Sequence, residues 1–443
     1  MRLPAPSHAA YTRLTMWTLR AGVAAFAVVL AAGTLDAESP TVTFDNQVVR
    51  LFQQNCQTCH RPDDIAPFPL LTYEDARRRQ DRILRAVESR TMPPWKAVPG
   101  FGDFLGSRRL SDSDVALVRA WVDGGAPEGD PRDLPPPRTF PDTWSLGQPD
   151  AILAPAEAFQ VPSGGQDVYR CFVIRTRFAE DRYLSAVEYV PGNRTVVHHV
   201  LTYLDTAGRA DALAHADSGS AYPCFGGPGF SAAGSIGGWA PGSPPTVMPE
   251  GVGMLLPVGA RVVLQVHYHN RTGVTHSDLT RVGLHFARTP IDKRYRSIPI
   301  WNTALTIPAG AARHEVRASW TVPARWNLHA IGVFPHMHLL GRQMVVTATY
   351  ADGTVRPLIR IDDWDFHWQG GYDYAQPVPL PGGTRIDLVA VYDNSEGNRR
   401  NPNHPPKDVS WGENTTDEMC IAFLRVTVDA EQLGYRPPAE PAS

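Results

Sequence analysis

The order of apolar and polar residues divides the chain into a helical beginning and a longer, strand-rich remainder. Residues 44–55 and 75–89 carry apolar side chains at helical spacing. A third helix is predicted to begin at Ser111, with Asp114 as its capping-box partner, and to end at the glycine pair 124–125. Residues 41–128 are therefore predicted to form a self-contained all-α domain.

Beyond this helical part the pattern changes twice. Residues 129–150 are rich in proline, which predicts a stiff, extended linker. Apolar residues then alternate with a period of two, which predicts strands at 182–190, 197–204, 261–268, 344–350, 384–392 and 423–428. Asp352-Gly353 is typical of a hairpin turn. We predict two all-β antiparallel sandwiches, at 151–299 and 300–432, and a mobile tail at 433–443.

The first 37 residues are typical of a secretory signal peptide. Arginines precede an apolar run at 21–33, and small residues close the segment at Ala37. The run is shorter than the ~20 residues of a membrane span, so we predict cleavage rather than retention as an anchor, with no stable membrane span afterwards. The 42 basic and 45 acidic residues include no long run of either sign, which argues against a nucleic-acid partner.

The first candidate chemistry is a CxxCH motif formed by Cys56, Cys59 and His60. In such a motif the two thiols attach a c-type haem and the histidine ligates its iron. A zinc site and a disulfide are the alternatives, but a disulfide leaves His60 without a role. Met92 is the predicted second axial ligand, because a thioether opposite histidine suits electron transfer. We predict one covalently attached haem c in a cytochrome c domain at 41–128 and, since the chain is exported, a periplasmic location.

Histidines of the strand-rich region form the second candidate. His336 and His338 alternate along a predicted strand, so both rings would leave the same face and chelate one metal. Met419 adds a soft thioether, a ligand that favours copper(I).

His198 and His199 are adjacent, and neighbours on a regular strand point to opposite faces. Both could bind one ion only if the backbone bulges there. His267 and His269 share a face of their predicted strand, so either could be the third ligand.

Taken together, these segments resemble the copper type II, ascorbate-dependent monooxygenases. The resemblance covers roughly residues 150–428 and rests on four motifs in the family's order: RTVVHHV at 194–200, VLQVHY at 263–268, PHMHLLG at 335–341 and DEMC at 417–420. It implies two jelly-roll sandwiches with two copper ions, one on each. His198, His199 and His267 would hold the electron-transfer copper, and His336, His338 and Met419 the copper where dioxygen is activated.

The implied reaction inserts one oxygen atom of dioxygen into a substrate C–H bond and consumes two electrons. The donor would be an ascorbate-like reductant or a periplasmic redox protein, and we predict that the haem relays these electrons to the first copper. In the peptidylglycine enzyme of this family an Arg, an Asn and a Tyr hold the peptide carboxylate. Here those positions are Phe334, Ile421 and Phe423, so we predict a small, largely apolar or aromatic substrate instead.

Two other classes compete with this monooxygenase interpretation. A haem and copper electron-transfer or copper-storage protein would keep the fold without oxygen chemistry, but it has no need for Met419 beside an intact His336 and His338 pair. A coupled dinuclear copper oxidase would need about three histidines per copper on helices, which this sequence lacks. Cys171, Cys224 and Cys420 allow one disulfide, and Cys420 is a candidate for it with either partner.

Overall fold

A computed structural model describes residues 41–437, with the exceptions of 63, 65, 141–143, 218, 242, 367 and 413. The predicted signal peptide at 1–37 lies outside the described residues. Within the described part of the chain, no helix is both long enough and apolar enough to cross a bilayer.

The beginning of the described chain is helical, as predicted. A π-helical turn, Phe44–Val48, runs directly into helix α1. The helices are α1 (Val49–Asn55), α2 (Tyr73–Arg77), α3 (Gln80–Glu88) and α4 (Asp112–Asp123). The predicted helix at 75–89 is divided between α2 and α3, because Arg79 leaves helical geometry with φ −126° and ψ 11°. Phe44, Phe52 and Trp121 form the buried centre of this region.

Helix α4 begins where the capping box predicts. The Ser111 hydroxyl accepts a hydrogen bond from the Asp114 amide, and the Asp114 carboxylate accepts one from the Ser111 amide. This reciprocal pair satisfies two amide donors that the first turn of a helix leaves free.

Antiparallel strands dominate the rest of the chain, as their period of two predicts. The first group is β1 (Ala151–Leu153), β2 (Phe159–Val161), β3 (Asp167–Arg175), β4 (Arg182–Val190), β5 (Val197–Asp205), β6 (Ala221–Pro223), β7 (Gly238–Trp239), β8 (Thr246–Val247), β9 (Val252–Leu256), β10 (Arg261–His269), β11 (His276–Asp278), β12 (Arg281–Phe286) and β13 (Lys293–Arg294). Its two main sheets have the orders β1-β12-β4-β9-β13, with β8 on β4, and β6-β3-β10-β5-β7. One apolar core lies between them.

The second group begins directly after Tyr295. Its strands are β14 (Arg296–Trp301), β15 (Thr306–Ile307), β16 (His314–Thr321), β17 (Leu328–His336), β18 (Gly341–Thr349), β19 (Val355–Ile361), β20 (Tyr372–Leu380), β21 (Arg385–Tyr392), β22 (Val409–Ser410) and β23 (Ile421–Val428). The sheets β14-β23-β17-β20 and β16-β21-β18-β19 enclose a second core. The predicted turn at Asp352-Gly353 joins β18 to β19, and Gly353 has the positive φ of 83° that this turn requires.

The helical region is less self-contained than its sequence predicts. Residues 95–105 leave the helices and cover the open side of the second sandwich. Ala97 forms a β-bridge with Ile361 at the end of β19, and Phe104 forms one with Tyr374 of β20. Ala97 is buried within the core of the second sandwich, and Phe104 stacks on Tyr374 with ring centroids 5.2 Å apart. Residues 95–105, hereafter the edge segment, thus pair with one edge strand of each sheet.

The predicted linker and tail are also held in place where the structure describes them. The side chain of Gln53 on α1 donates to the Pro136 carbonyl, so the linker lies along the first helix. In the tail, Tyr435 exchanges two backbone hydrogen bonds of 3.1 Å with Ile291. The first residues of the predicted tail are thus paired with a segment of the first sandwich, and the mobility of the tail stays a prediction.

A helix within the first sandwich was not predicted. Helix α5 (Arg209–Asp217) buries mainly the small residues Ala210 and Ala214, which give little apolar periodicity. It packs beside a disulfide between Cys171 and Cys224. Cys420 is a free, buried thiol, so its candidacy for the disulfide is wrong.

Replacing both Cys171 and Cys224 by alanine is expected to lower the free energy of unfolding by about 4 kcal/mol. The 53-residue separation sets the loop-closure entropy that the disulfide removes from the unfolded chain. Urea unfolding followed by tryptophan fluorescence measures the change, with Cys420→Ala as the control that leaves the disulfide intact. An unchanged unfolding midpoint in the double variant would contradict the pairing.

Candidate metal centres

The first histidine set lies on two neighbouring strands of the first sandwich. β5 carries His198 and His199, and β10 carries His267. His199 is paired with His267, whereas the next pair joins Tyr268 to Val197, so the register skips His198. This bulge is the irregularity that the adjacent histidines were predicted to need, and it turns His198 toward the same site.

The nitrogen atoms of these three rings converge. One ligand atom from each of His198, His199 and His267 lies within 4.8 Å of the others. The Nδ1 atom of His199 is 3.2 Å from Nδ1 of His198 and 3.3 Å from Nδ1 of His267. Three imidazole nitrogens at this spacing are a donor set that suits copper.

Asp167 on β3 distinguishes His267 from His269. Its Oδ1 atom is 2.5 Å from Nδ1 of His269 and 3.4 Å from Nε2 of His267. His269 is thus directed at a carboxylate, while His267 turns Nδ1 toward the other two histidines. The hydrogen bond from His267 holds the pKa of Asp167 well below its usual range, so Asp167 stays charged and can orient the ring of His267 from behind.

Burial keeps the ring of His199 uncharged. It lowers the pKa of His199 well below the ordinary value, and the neighbouring His267, His198 and His336 lower it further. Neutral imidazole is the form that binds a metal. Because His336 belongs to the second set, its influence also shows that the two sets lie within electrostatic reach of each other.

The second histidine set stands at the end of β17. The rings of His336 and His338 have centroids 5.1 Å apart. Nδ1 of His336 lies 2.5 Å from Oε1 of Gln369, and Nδ1 of His338 lies 3.0 Å from the Asp417 carbonyl oxygen. Each ring therefore has its Nδ1 engaged, which leaves Nε2 for a metal. Burial lowers the pKa of His336 to about 3 and also lowers that of His338.

Glu418 joins the backbone of this histidine pair to that of Met419. Its Oε2 accepts hydrogen bonds from the amides of His338 at 2.8 Å and Met419 at 3.2 Å, and its Oε1 accepts one from Leu340 at 2.6 Å. The side chain is completely buried, and this burial raises its pKa to about 8. One carboxyl group thus sets the spacing between the two segments that carry the predicted ligands of the second set.

Tyr169 links the first set to the loop that carries Met419. Its ring stacks on His267 with centroids 4.2 Å apart and planes 7° from parallel. Burial raises its pKa to about 12, and its hydrogen bond with Thr415, four residues before Met419, opposes that rise. A side chain of the first sandwich therefore contacts the loop that carries Met419 of the second.

The CxxCH motif begins at the C-terminal end of α1. Cys56 and Cys59 are both free thiols in a structure that does contain a disulfide elsewhere, so the disulfide alternative for this pair is wrong. His60 has its Nδ1 3.0 Å from the Phe68 carbonyl oxygen, which fixes the ring and leaves Nε2 available. Two free thiols and a histidine oriented this way fit a covalently attached haem. Met92 lies half-buried in the loop after α3, and its role as axial ligand stays a prediction.

Sequence reasoning did not find the residues that orient the rings. Asp167 and Gln369 are distant along the chain from the histidines they contact, so no local spacing marks them. Glu418 belongs to the DEMC motif, next to Met419. Its role as a buried acceptor for three backbone amides cannot be read from the sequence, because backbone amides are present at every residue except proline. Tyr169 occupies an ordinary strand position two residues before Cys171.

Comparison with known proteins finds a family match over the second sandwich. Residues 299–429 match the family Copper type II ascorbate-dependent monooxygenase, C-terminal domain. That range contains His336, His338 and Met419.

Two curated relatives extend the similarity beyond this domain. Peptidyl-glycine alpha-amidating monooxygenase of Mus musculus is 26% identical over 281 residues, which cover 60% of this chain and 26% of that protein. The corresponding protein of Rattus norvegicus is 25% identical over 274 residues, again 60% of this chain and 26% of that protein. The chain thus spans about a quarter of the length of these relatives. The family match and the two curated relatives together support a relationship to the copper-dependent monooxygenases.

Among solved structures, the infectious bursal disease virus VP2 subviral particle aligns with 66% of this chain and 81% of that chain. Its identity is 10% and its TM-score is 0.18.

Proposed function

We propose that this chain is a periplasmic, copper-dependent monooxygenase that hydroxylates a C–H bond of a small substrate with an apolar or aromatic body. Dioxygen is the oxidant, and electrons arrive through a c-type haem. The observation that carries the proposal is the pair of histidine sets: three nitrogens converge on the first sandwich, and His336 and His338 lie side by side on the domain that matches the family, with His336 within electrostatic reach of His199.

The protein's own residues divide the work between two copper ions. His198, His199 and His267 would hold one ion, and His336, His338 and Met419 would hold the other. Bound copper supplies one-electron transfer at the first set and activation of dioxygen at the second. Asp167 and Gln369 keep the rings oriented by engaging the nitrogens that face away from the metal.

The face of the sheet beside His336 supports an apolar substrate. Phe334 and Phe423 form a cross-strand pair with ring centroids 6.3 Å apart, and Ile421 is paired with His336 itself. A carboxylate next to the reacting carbon would lie against these side chains without a donor, which is costly in a buried site. Peptides that end in glycine are therefore poor candidates.

The position of the CxxCH motif supports electron delivery to the first set. The loop after His60 contacts the segment before His198, since Arg194 Nη1 lies 3.9 Å from Asp64 Oδ2. A haem held by Cys56 and Cys59 supplies single electrons, two of which each turnover needs. Arg194 is four residues from His198, so this ion pair joins the loop of the motif to the strand segment that leads into the first set.

The ratio of copper to haem is the first test. The mature protein, saturated with copper and then desalted, is expected to hold two copper ions per haem, as measured by elemental analysis and the haem absorbance. His336→Ala is expected to hold one copper per haem and to hydroxylate nothing, because the site for dioxygen has lost a ligand. The matched variant His329→Ala removes a histidine that is directed at Asp429 instead, and should keep both ions. One copper or none in the unaltered protein would favour an electron-transfer or metal-binding role.

A further inference from the structure

Three successive cross-strand pairs run away from His336 along the same face of the second sandwich. β17 and β23 pair His336 with Ile421, Phe334 with Phe423, and Gly332 with Arg425. Alternate residues of a strand share a face, so all three pairs line one surface, which faces away from the core of this sandwich. The surface is a row with a metal ligand at one end, aromatic rings in the middle and an arginine at the other end.

Arg425 is held at the inner end of this row. Its side chain is 12% exposed, and Gly332 leaves the space it occupies, since a Cβ there would come within 2.4 Å of the guanidinium. The adjacent Ile331 packs into the core of the first sandwich, so this end of the row lies where the two sandwiches meet. Tyr295, which packs against that same core, is within electrostatic reach of Arg425.

The guanidinium of Arg425 is paired with one partly exposed carboxylate. Arg425 Nη2 lies 2.7 Å from Asp373 Oδ1, an ion pair outside hydrogen-bond geometry, and Asp373 is 41% exposed. Within the described residues, neither Nε nor Nη2 of Arg425 makes a hydrogen bond, although both atoms are buried. Buried donors in folded proteins are almost always satisfied, and two neighbouring N–H groups of an arginine match the two oxygens of a carboxylate.

We propose that Arg425 is the anchor of a second substrate subsite, which binds a carboxylate at the end of the substrate remote from the reacting carbon. Phe334 and Phe423 hold the apolar body of the substrate. Asp373 competes with the substrate carboxylate for the guanidinium of Arg425 and so lowers the affinity of the subsite. The assignment of the other end to a copper centre rests on the proposed function. The substrate class is therefore an amphipathic acid rather than a neutral hydrocarbon.

The length of the row limits that class. Four residues separate His336 from Gly332, which spans about 13 Å of strand. A carboxylate at Arg425 is then several carbon atoms away from a C–H bond at the copper. Glycine-extended peptides carry the carboxylate on the reacting carbon itself, so they cannot use this subsite. An arylalkanoic acid with a chain of about five carbons has a suitable length.

Binding of 5-phenylpentanoate to the copper- and haem-loaded protein, without reductant, tests the subsite. Isothermal titration calorimetry is expected to show at least tenfold tighter binding of this acid than of 5-phenylpentanamide, because a charge-assisted pair replaces a neutral one. Arg425→Gln should remove that preference. Asp373→Asn should strengthen acid binding about threefold or more, since it removes a competing negative charge but leaves the arginine.

Opposite changes in acid affinity in Arg425→Gln and Asp373→Asn distinguish a role of Arg425 in substrate recognition from a role in packing. If Arg425 only stabilises the fold, both variants weaken binding of acid and amide alike, and the proposal is overturned. If Arg425→Gln fails to fold, Asp373→Asn decides alone, because its side chain is partly exposed, and unchanged or weaker acid binding overturns the proposal. Arg385→Gln, which breaks an exposed pair with Asp387 on the other sheet, is the control and should change neither affinity. Because no turnover is measured, the result stands whether or not the protein proves to be a hydroxylase.

Discussion

Replacing Glu418 by glutamine is expected to remove the second copper and to lower the free energy of unfolding by about 3 kcal/mol. Both carboxyl oxygens of Glu418 accept backbone amides, from Leu340 on one side and from His338 and Met419 on the other. Glutamine keeps the shape but must turn an NH2 group toward at least one of these amides. Two donors then face each other in a site that excludes water, and the segments that carry His338 and Met419 move apart.

The measurement is copper stoichiometry together with urea unfolding. We expect the ratio of copper to protein to fall from two to one, with the remaining copper bound by the first set. Glu188 offers a matched control, because it is also a buried carboxylate that accepts two backbone amides, those of Ser145 and Leu146, but in the first sandwich. Glu188→Gln should cost comparable stability and leave both coppers bound. A Glu418→Gln protein with two coppers would show that Glu418 does not position the second site.

The strands could be predicted closely because the apolar period of two is strong in this chain. The prediction at 182–190 coincides with β4, and the prediction at 423–428 misses only the first two residues of β23. Helix α5 could not be predicted, since its buried face consists of alanines. The position of the edge segment in the sequence predicts that it belongs to the helical domain. Ala97 and Phe104 instead form β-bridges with strands more than 250 residues away. Contacts at that separation leave no local pattern.

In the candidate site, too, features that follow from local sequence could be predicted and features that depend on distant contacts could not. The bulge at His198 followed from a local conflict, because two adjacent side chains had to reach one face. His267 and His269 could not be distinguished, since both satisfy the same alternation. The choice depends on Asp167, which is a hundred residues away in sequence and reaches them only when β3 pairs with β10. Likewise Arg425 is an ordinary strand residue until its pairing places it opposite Gly332.

If a haem is attached at Cys56 and Cys59 as proposed, preventing its attachment without removing the helical region is expected to stop electron delivery and to leave both copper sites intact. In the double variant Cys56→Ser, Cys59→Ser no thioether can form, so the haem is not retained covalently. Both serines fit where small, half-buried thiols stood, and the copper ligands are carried by other strands. Two coppers should bind, turnover driven by a reduced soluble cytochrome should fall to background, and turnover driven by excess ascorbate should continue. Unchanged turnover with the cytochrome donor would contradict the relay.

Deleting residues 41–128 would not answer the same question, because the deletion also removes the edge segment. Without it, the backbone groups of β19 and β20 that now bond to Val98, Leu105 and their neighbours become open edges, and the core beside Tyr374 is exposed. The second sandwich carries His336, His338 and Met419, so this truncation is expected to lose copper and to aggregate even if the haem has no part in the reaction. A truncation that keeps 95–105 in place, or the double serine variant, separates the two roles. The region at 41–128 is therefore both the proposed site of the haem and, through the edge segment, a structural part of the second sandwich.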